Sequence, residues 1–328
     1  MKVVVLAGGL SDERDVSLMS GSLIANALAK KGYNVALIDL SNDIEDEKLE
    51  ELFSKEQKEY NFKIGAKEPK AYKNQNQIGK NVLEVCKMAD KVFIALHGGI
   101  GENGKLQAVF DCMDIKYTGT GYEGSLIAMN KILTKKLLDY ANIKTAKWMV
   151  YDNKKINELN YPLVVKPASN GSSIGISIVK DERELVEAIK ICKKHDKEIL
   201  IEEYIKGREF SVAILEERAL MSIEIIPMAG FYDYNNKYQE GKTLEICPPN
   251  LEKEIIKKMQ DIAIKVHNEL KLGTYSRIDF ILGKDNELYV LEANTLPGMT
   301  KTSLMPQEAK AEGMEFEDLC EKILLLDK

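Results

Sequence analysis

Hydrophobic positions along the chain alternate between two periods. Lys2 to Leu6 is a short β-branched run ending in Gly8-Gly9, and Ser11-Asp12-Glu13-Arg14 then leads into apolar positions at helical spacing from Val16 to Ala29. This order predicts strand, glycine turn and capped helix. Tyr33 to Leu40 reads as a second strand and the acidic stretch 42–53 as a polar helix. Residues 54–80, rich in Lys, Asn and Gln without a clear period, read as a solvated loop. A third strand, Lys91 to Leu96, ends in His97-Gly98-Gly99. The alternation predicts a parallel α/β domain over residues 1–118, with ligands at the carboxyl ends of its strands.

From Gly119 to Thr145 the pattern predicts a glycine-rich entry and one long amphipathic helix. Strands follow at Lys147 to Tyr151 and Leu163 to Lys166, and Asn170-Gly171-Ser172-Ser173-Ile174-Gly175 joins the latter to a strand at Ile176 to Val179. Helix 181–194 and strand Glu198 to Glu203 complete an α+β unit over 119–203. A third unit, 204–328, holds strands at Phe210 to Leu215 and Ser222 to Pro227, a polar aromatic loop at 228–249 and a helix from Glu252 to Leu270. A hairpin over Thr274 to Asn294, then Thr295-Leu296-Pro297-Gly298 and a closing helix, end the chain.

At 328 residues, 45% hydrophobic and 30% charged, the composition is that of a globular protein with more than one core. A net charge of −6 argues against a general nucleic-acid or anionic-membrane surface. No apolar run reaches the roughly 18 residues that span a bilayer, and the N-terminal apolar run is too short and glycine-bounded for a signal peptide. A cytoplasmic protein is expected. The five cysteines are scattered without a CxxC pair and read as reduced, mostly buried thiols.

Several segments could carry chemistry. With the hairpin turn centred between Lys284 and Asp285, Arg277 falls opposite Glu292 and Asp279 opposite Val290, and period two puts Arg277, Asp279, Glu292 and Asn294 on one side. Two carboxylates and an amide oxygen form the hard-oxygen set that Mg²⁺ takes together with water and phosphate; the same pattern also suits a solvated hairpin face with a salt bridge. Lys166 closes an apolar strand ahead of the small residues Gly171 to Ser173, whose backbone N–H groups could close around an anion, or simply form a hairpin. Glu202 and Glu203 end another apolar strand, where carboxylates could accept from ribose hydroxyls. His97 stands at a strand's carboxyl end. Tyr232, Asp233, Tyr234, Lys237 and Tyr238 fall in a loop too polar for a core and too aromatic for a linker. No Walker loop of the GxxxxGK[ST] type is present.

In this order the segments resemble the D-alanine:D-alanine ligase family of ATP-grasp enzymes. The resemblance spans nearly the whole chain and rests on Gly8 to Ser17 (Gly-Gly-x-Ser-x-Glu-Arg-x-Val-Ser), His97 to Gly104 (His-Gly-x-x-Gly-Glu-x-Gly), Tyr117 to Gly121, Met129 to Lys131, Val165 to Pro167 with Gly171 to Gly175, Tyr232 to Tyr238, and Arg277-x-Asp279 with Glu292 to Thr300. It implies a three-domain ATP-grasp fold, α/β and α+β, with a Rossmann-like N-terminal domain. The implied activity uses ATP and two Mg²⁺ (or Mn²⁺) ions to phosphorylate one D-alanine, whose acyl phosphate a second D-alanine attacks, for peptidoglycan precursors. By motif, Asp279, Glu292 and Asn294 match metal ligands and Lys131 and Lys166 phosphate-contacting lysines. Glu202 and Glu209 match acids near adenine and ribose, with Ser173, Glu203 and Lys237 in the same nucleotide set. Glu13 and His97 match the first substrate's site, and Ser303 and Leu304 the second substrate's carboxylate site. Arg277 and the Gly298 N–H match oxyanion stabilisers. Ser172 and Tyr238 join Glu13 in a hydrogen-bonded triad over the site. Asn170 stands where a glutamate often precedes Gly-Ser-Ser, and Asn103 where aspartate is usual. The resemblance also implies a homodimer. D-serine or D-lactate as second substrate, or an inactive nucleotide-binding regulator, are the alternatives; Tyr238 favours an amine nucleophile, and the intact polar set favours an enzyme.

Overall fold

The computed structural model describes residues 1–46, 49, 51–53, 60, 76–152, 156, 158–171, 174–228, 241–300 and 302–327. The first apolar run forms β1 (Lys2–Ala7), buried from Val3 onward, between β2 (Asn34–Asp39) and β3 (Lys91–Ile94) in a parallel sheet of order β2-β1-β3. Both β1 and β3 run almost wholly apolar because helices cover the sheet. These include α1 (Arg14–Lys30), which buries Ile24 and Leu28, and α2 (Val82–Met88). Short helices α3 (Gly99–Glu102) and α4 (Lys105–Cys112) follow β3. Glu13 sits at the N-cap of α1 without a side-chain cap hydrogen bond. Among its described residues the acidic stretch 42–53 forms no α-helix where a polar helix is expected; 3₁₀ conformation occurs at Asp46 and at Glu51–Phe53. Ile44, Leu49, Leu52 and Phe53 are the side chains among its described residues that pack on the core.

The single long helix expected after Gly119 is two, α5 (Tyr122–Met129) and α6 (Lys131–Tyr140). Asn130 breaks it: its backbone is extended and its side-chain oxygen accepts from the backbone N–H groups of Ile132 and Leu133 at 3.0 and 3.1 Å, an N-cap that competes with continuing the helix. An antiparallel sheet of order β4-β7-β5-β6 follows, from β4 (Trp148–Val150), β5 (Leu163–Pro167), β6 (Ser177–Val179) and β7 (Ile199–Glu203). Its own core, including Leu163, Val165 and Ile201, lies against α7 (Glu182–Cys192), which Asp181 caps.

The third layer is an antiparallel sheet of order β11-β10-β8-β12-β13, with β9 (Arg218–Ala219) paired to β8. Its strands are β8 (Gly207–Leu215), β10 (Ile223–Pro227), β11 (Thr243–Ile246), β12 (Tyr275–Gly283) and β13 (Leu288–Asn294), backed by α8 (Lys253–Glu269). Strand β11 occupies part of the stretch expected to be loop. Helices α9 (Leu304–Ala311) and α10 (Phe316–Leu325) return the chain to the first sheet. There Glu317 and Glu321 pair with Lys30 and Lys31 at 3.1 and 3.0 Å, and Leu319 and Ile323 enter the same core as Val3 and Ile24. Among the described residues no helix is long and apolar enough to cross a membrane.

Candidate active site

The β12–β13 hairpin supplies one wall. Its register differs from the expected one: Arg277 lies opposite Asn294 and Asp279 opposite Glu292. Two local features cause this. The turn is three residues, Lys284 to Asn286, with Asn286 at φ 59°, and Gly283 donates across it to Glu287. A bulge then inserts Leu291 between the partners of Asp279 and Phe280. Each shifts the register by one, and together they leave the parity of the face unchanged. Arg277 Nε and Nη2 donate to Asp279 Oδ1 and Oδ2 at 2.9 and 2.8 Å, and Asn294 Nδ2 donates to Oδ2 at 3.1 Å. From the neighbouring strand β8, Ser211 Oγ donates to Oδ1 at 2.8 Å. The side chain of Glu292, half-buried beside this knot, makes no hydrogen bond or ion pair among the described residues.

Between this sheet and the β4-β7-β5-β6 sheet lies a cavity of about 370 Å³, within the usual size range of small-molecule sites. Val164 and Ile178 line one side and Ile281 and Leu291 the other, with Glu203, Glu209, Asp279 and Glu292 at its polar edges. At its floor Glu202 is 2% exposed and lies between two lysines. Lys166 pairs with Oε1, and Lys135 Nζ lies 2.7 Å from Oε2. Burial pushes the Glu202 carboxyl up, but the two ammonium groups outweigh it and hold it at about 2. Burial lowers the Lys135 ammonium from its ordinary value, although Glu202 opposes that shift.

A second cavity adjoins the first at Glu292 and is lined by Glu13, His97, Lys131, Arg277, Gly298 and Ser303. Lys131 donates to the carbonyl of Asn170. His97 is buried; its Nδ1 lies 3.2 Å from the Leu296 carbonyl and its Nε2 3.1 Å from Ser20 Oγ. A carbonyl only accepts, so Nδ1 carries the proton and Nε2 accepts from the serine. Burial pushes this imidazole below its ordinary value. Glu102 accepts from the backbone N–H groups of Gly98 at 2.6 Å and Leu296 at 3.3 Å, joining the loop after β3 to the loop after β13. Burial first, and the Glu13 carboxylate second, push Glu102 up to about 7. Opposite, Ser303 stands at the N-cap position of α9 without a side-chain cap hydrogen bond, and its Oγ accepts from Thr300 N–H at 2.9 Å; a Cβ on Gly298 would stand 2.7 Å from that oxygen. A Cβ on Gly171 would stand 3.1 Å from Glu13 Oε2, so the small residue lets the two loops approach.

Of the residues singled out from sequence, the second cavity gathers Glu13, His97, Lys131, Arg277, Glu292, Asn294, Gly298, Ser303 and Leu304. The larger cavity gathers Lys166, Glu202, Glu203, Glu209, Asp279 and Glu292. Ser172, Ser173, Lys237 and Tyr238 lie outside the described residues. Sequence reasoning assigned nothing to Lys135, Glu102 or Ser211. Lys135 had a signal: it stands four residues after Lys131 and thus on the same helix face.

Comparison with known proteins gives a consistent picture. Family models described as D-ala D-ala ligase N-terminus and C-terminus match residues 2–120 and 133–325. The chain is 46% identical to the D-alanine–D-alanine ligase of Pediococcus pentosaceus, covering 99% of this chain and 97% of that one. It is 40% identical to that of Lacticaseibacillus casei, covering 97% and 93%. The crystal structure of D-alanine–D-alanine ligase from Bacillus anthracis complexed with ATP superposes with a TM-score of 0.77 at 32% identity, covering 99% of this chain and 95% of that one.

Proposed function

Because the chain belongs to the D-alanine–D-alanine ligase family, we propose that it joins two D-alanines into D-alanyl-D-alanine for peptidoglycan precursors, converting ATP to ADP and phosphate. The observation that carries this reading is the meeting of a nucleotide-sized apolar cavity and a polar, charge-lined cavity at one side chain, Glu292. The larger cavity takes ATP, with adenine between Val164 and Ile178 on one side and Ile281 on the other. Glu202, Glu203 and Glu209 edge it, Ser173 and Lys237 complete the nucleotide set, and Lys166 and Lys131 meet the phosphates.

The smaller cavity takes both D-alanines. Glu13 holds the ammonium of the first and, with neutral His97 beside it, leaves the carboxylate directed toward the γ-phosphate. Attack of that carboxylate oxygen forms the new P–O bond as the bond to ADP breaks, giving an acyl phosphate. The amine of the second D-alanine, whose carboxylate sits at Ser303 and Leu304 on the α9 N-terminus, attacks the acyl carbon. Arg277 and the Gly298 N–H stabilise the oxyanion before phosphate leaves. Ser172 and Tyr238 close over the site with Glu13 and exclude the water that would hydrolyse the acyl phosphate.

Asp279, Glu292 and Asn294 are the residues that would hold Mg²⁺ or Mn²⁺, up to two ions. Among the described residues no three His, Cys, Asp or Glu side chains gather closely enough to enclose a cation unaided. That fits a hard cation that takes one or two carboxylates and completes its shell with phosphate and water. Such an ion supplies positive charge against the transferring phosphoryl group. A cytoplasmic homodimer accords with the family.

The test is direct. With ATP, Mg²⁺ and D-alanine the purified protein should release phosphate and form dipeptide in equal amounts, the latter read by mass spectrometry. Phosphate release only with added D-serine or D-lactate reassigns the second substrate, and none with any of them overturns the reading. Glu292→Gln should lower kcat by at least about a hundredfold with an unchanged circular dichroism spectrum; a near wild-type rate would remove Glu292 from the metal set.

A further inference from the structure

Lys135 takes no part in the roles just assigned, yet its side chain is only 2% exposed. A buried ammonium is costly unless paired. This one lies 2.7 Å from Glu202 Oε2 and donates to Thr145 Oγ1, which in turn donates to the Val290 carbonyl at 2.8 Å, two residues before Glu292 on β13. On its other oxygen Glu202 pairs with Lys166, whose side chain is 10% exposed and lines the larger cavity. Two ammonium groups on one carboxylate leave the trio with a net charge of about one. Without Lys135, Glu202 and Lys166 would cancel, and an anion in the cavity would meet an ion-pair dipole instead of a cation.

We propose that Lys135 is a positioning residue for the nucleotide: by occupying one oxygen of Glu202 it keeps the charge of Lys166 uncancelled for the triphosphate. The proposal rests on the reading of the larger cavity as the ATP site. It gives Glu202 a task besides edging the base, since the carboxylate locks both lysines in place. It also explains why an interior lysine stands one helical turn beyond Lys131. Along one side of α6, Lys131 lines the second cavity directly, and Lys135 reaches the larger one through Glu202.

Equilibrium dialysis of the whole chain with ATP and with adenosine tests it, because adenosine has the base and ribose but no phosphate charge. Lys135→Met should weaken ATP about tenfold, the loss of one charge-assisted contact, and leave adenosine within about twofold. Lys135→Gln keeps a donor toward Glu202 and Thr145 without the charge, so it should lose ATP affinity equally. Equal losses for ATP and adenosine would make Lys135 a structural residue only and overturn the proposal, as would wild-type ATP affinity in Lys135→Gln. A wild-type chain that binds neither ligand would overturn the nucleotide reading and this inference with it. Wild-type binding with unchanged variants would overturn the inference alone.

Discussion

Two interior carboxyls, Glu102 and Glu202, show how environment separates like groups. Glu202 lies between two ammonium groups and is held at about 2, while Glu102 lies beside Glu13 with two backbone N–H donors and is pushed up to about 7. The folded-state value of Glu102 exceeds its ordinary 4.5, so between those values the folded protein keeps a proton that the unfolded chain releases. The stability this contributes is complete below pH 4.5 and is lost as pH rises through about 7. Relative to Glu102→Gln, wild type should therefore lose on the order of 2–3 kcal/mol between about pH 4.5 and 8, measured by urea unfolding. Glu13→Gln should reduce that loss, since it removes the neighbouring carboxylate; parallel pH slopes in all three proteins would contradict the assignment. Much of this site was legible residue by residue, because Arg277, Asp279 and Glu292 sit at strand positions whose facing follows from alternation, and His97 follows the carboxyl end of a strand. Lys135 and Glu102 were not, because what gives them a role is burial against partners 67 and 194 residues away, Glu202 and Leu296, and periodicity carries no such information.

At the scale of elements, the same local patterns were read well where one period ran uninterrupted and poorly where a single residue intervened. The β12–β13 hairpin was expected on the right segment, but its turn holds three residues and its second strand a bulge, neither visible as a break in alternation. The shared face survives only because two one-residue shifts preserve parity. Asn130 divides α5 from α6 without interrupting the apolar spacing, and its cap was the available cue. The loop from Leu296 to Ser303 has no period at all, and close approach governs it. There Gly298→Ala would place a Cβ 2.7 Å from Ser303 Oγ, an oxygen already held by Thr300 N–H at 2.9 Å and Thr300 Oγ1 at 2.8 Å, so it cannot turn aside without losing both. Overpacking of this kind costs about 1–3 kcal/mol, and displacement of the loop should lower kcat/KM for D-alanine by about ten- to a hundredfold. Adding Ser303→Ala should recover thermal stability without recovering KM for the second D-alanine. Steady-state kinetics beside thermal unfolding separates the two effects, and wild-type kinetics in Gly298→Ala would remove this loop from the substrate site.

Over the whole molecule, the two cavities differ in what holds their walls. Helix α10 returns to pack on α1, so the first sheet, β8 and the loop carrying Leu296 and Met299 share one core, and the D-alanine side rests on it. The β4-β7-β5-β6 sheet has a separate core with α7, and on its other face, among the described residues, Ile132, Ala168 and Leu200 form a small cluster with Trp148 and Val150. Its links to the facing sheet include Thr145 Oγ1 to the Val290 carbonyl at 2.8 Å and Val290 N–H to the Lys144 carbonyl at 2.9 Å. Few apolar contacts therefore oppose opening of the ATP cleft, and a ligand that bridges both sheets must supply the missing attraction. At about a hundredfold excess over its Kd, ATP should stabilise the closed cleft by about 2.7 kcal/mol. Amides of β5, β6 and β7 that exchange through cleft opening should then exchange about a hundredfold more slowly, while β1 and β3, whose core does not depend on the cleft, should be unchanged. D-Alanine alone should protect the loop around Leu296 instead. Hydrogen exchange followed by mass spectrometry resolves these segments. Uniform slowing across all three sheets would show that the cleft has no opening motion of its own, and that the separate core of the β4-β7-β5-β6 sheet does not act as a separate unit.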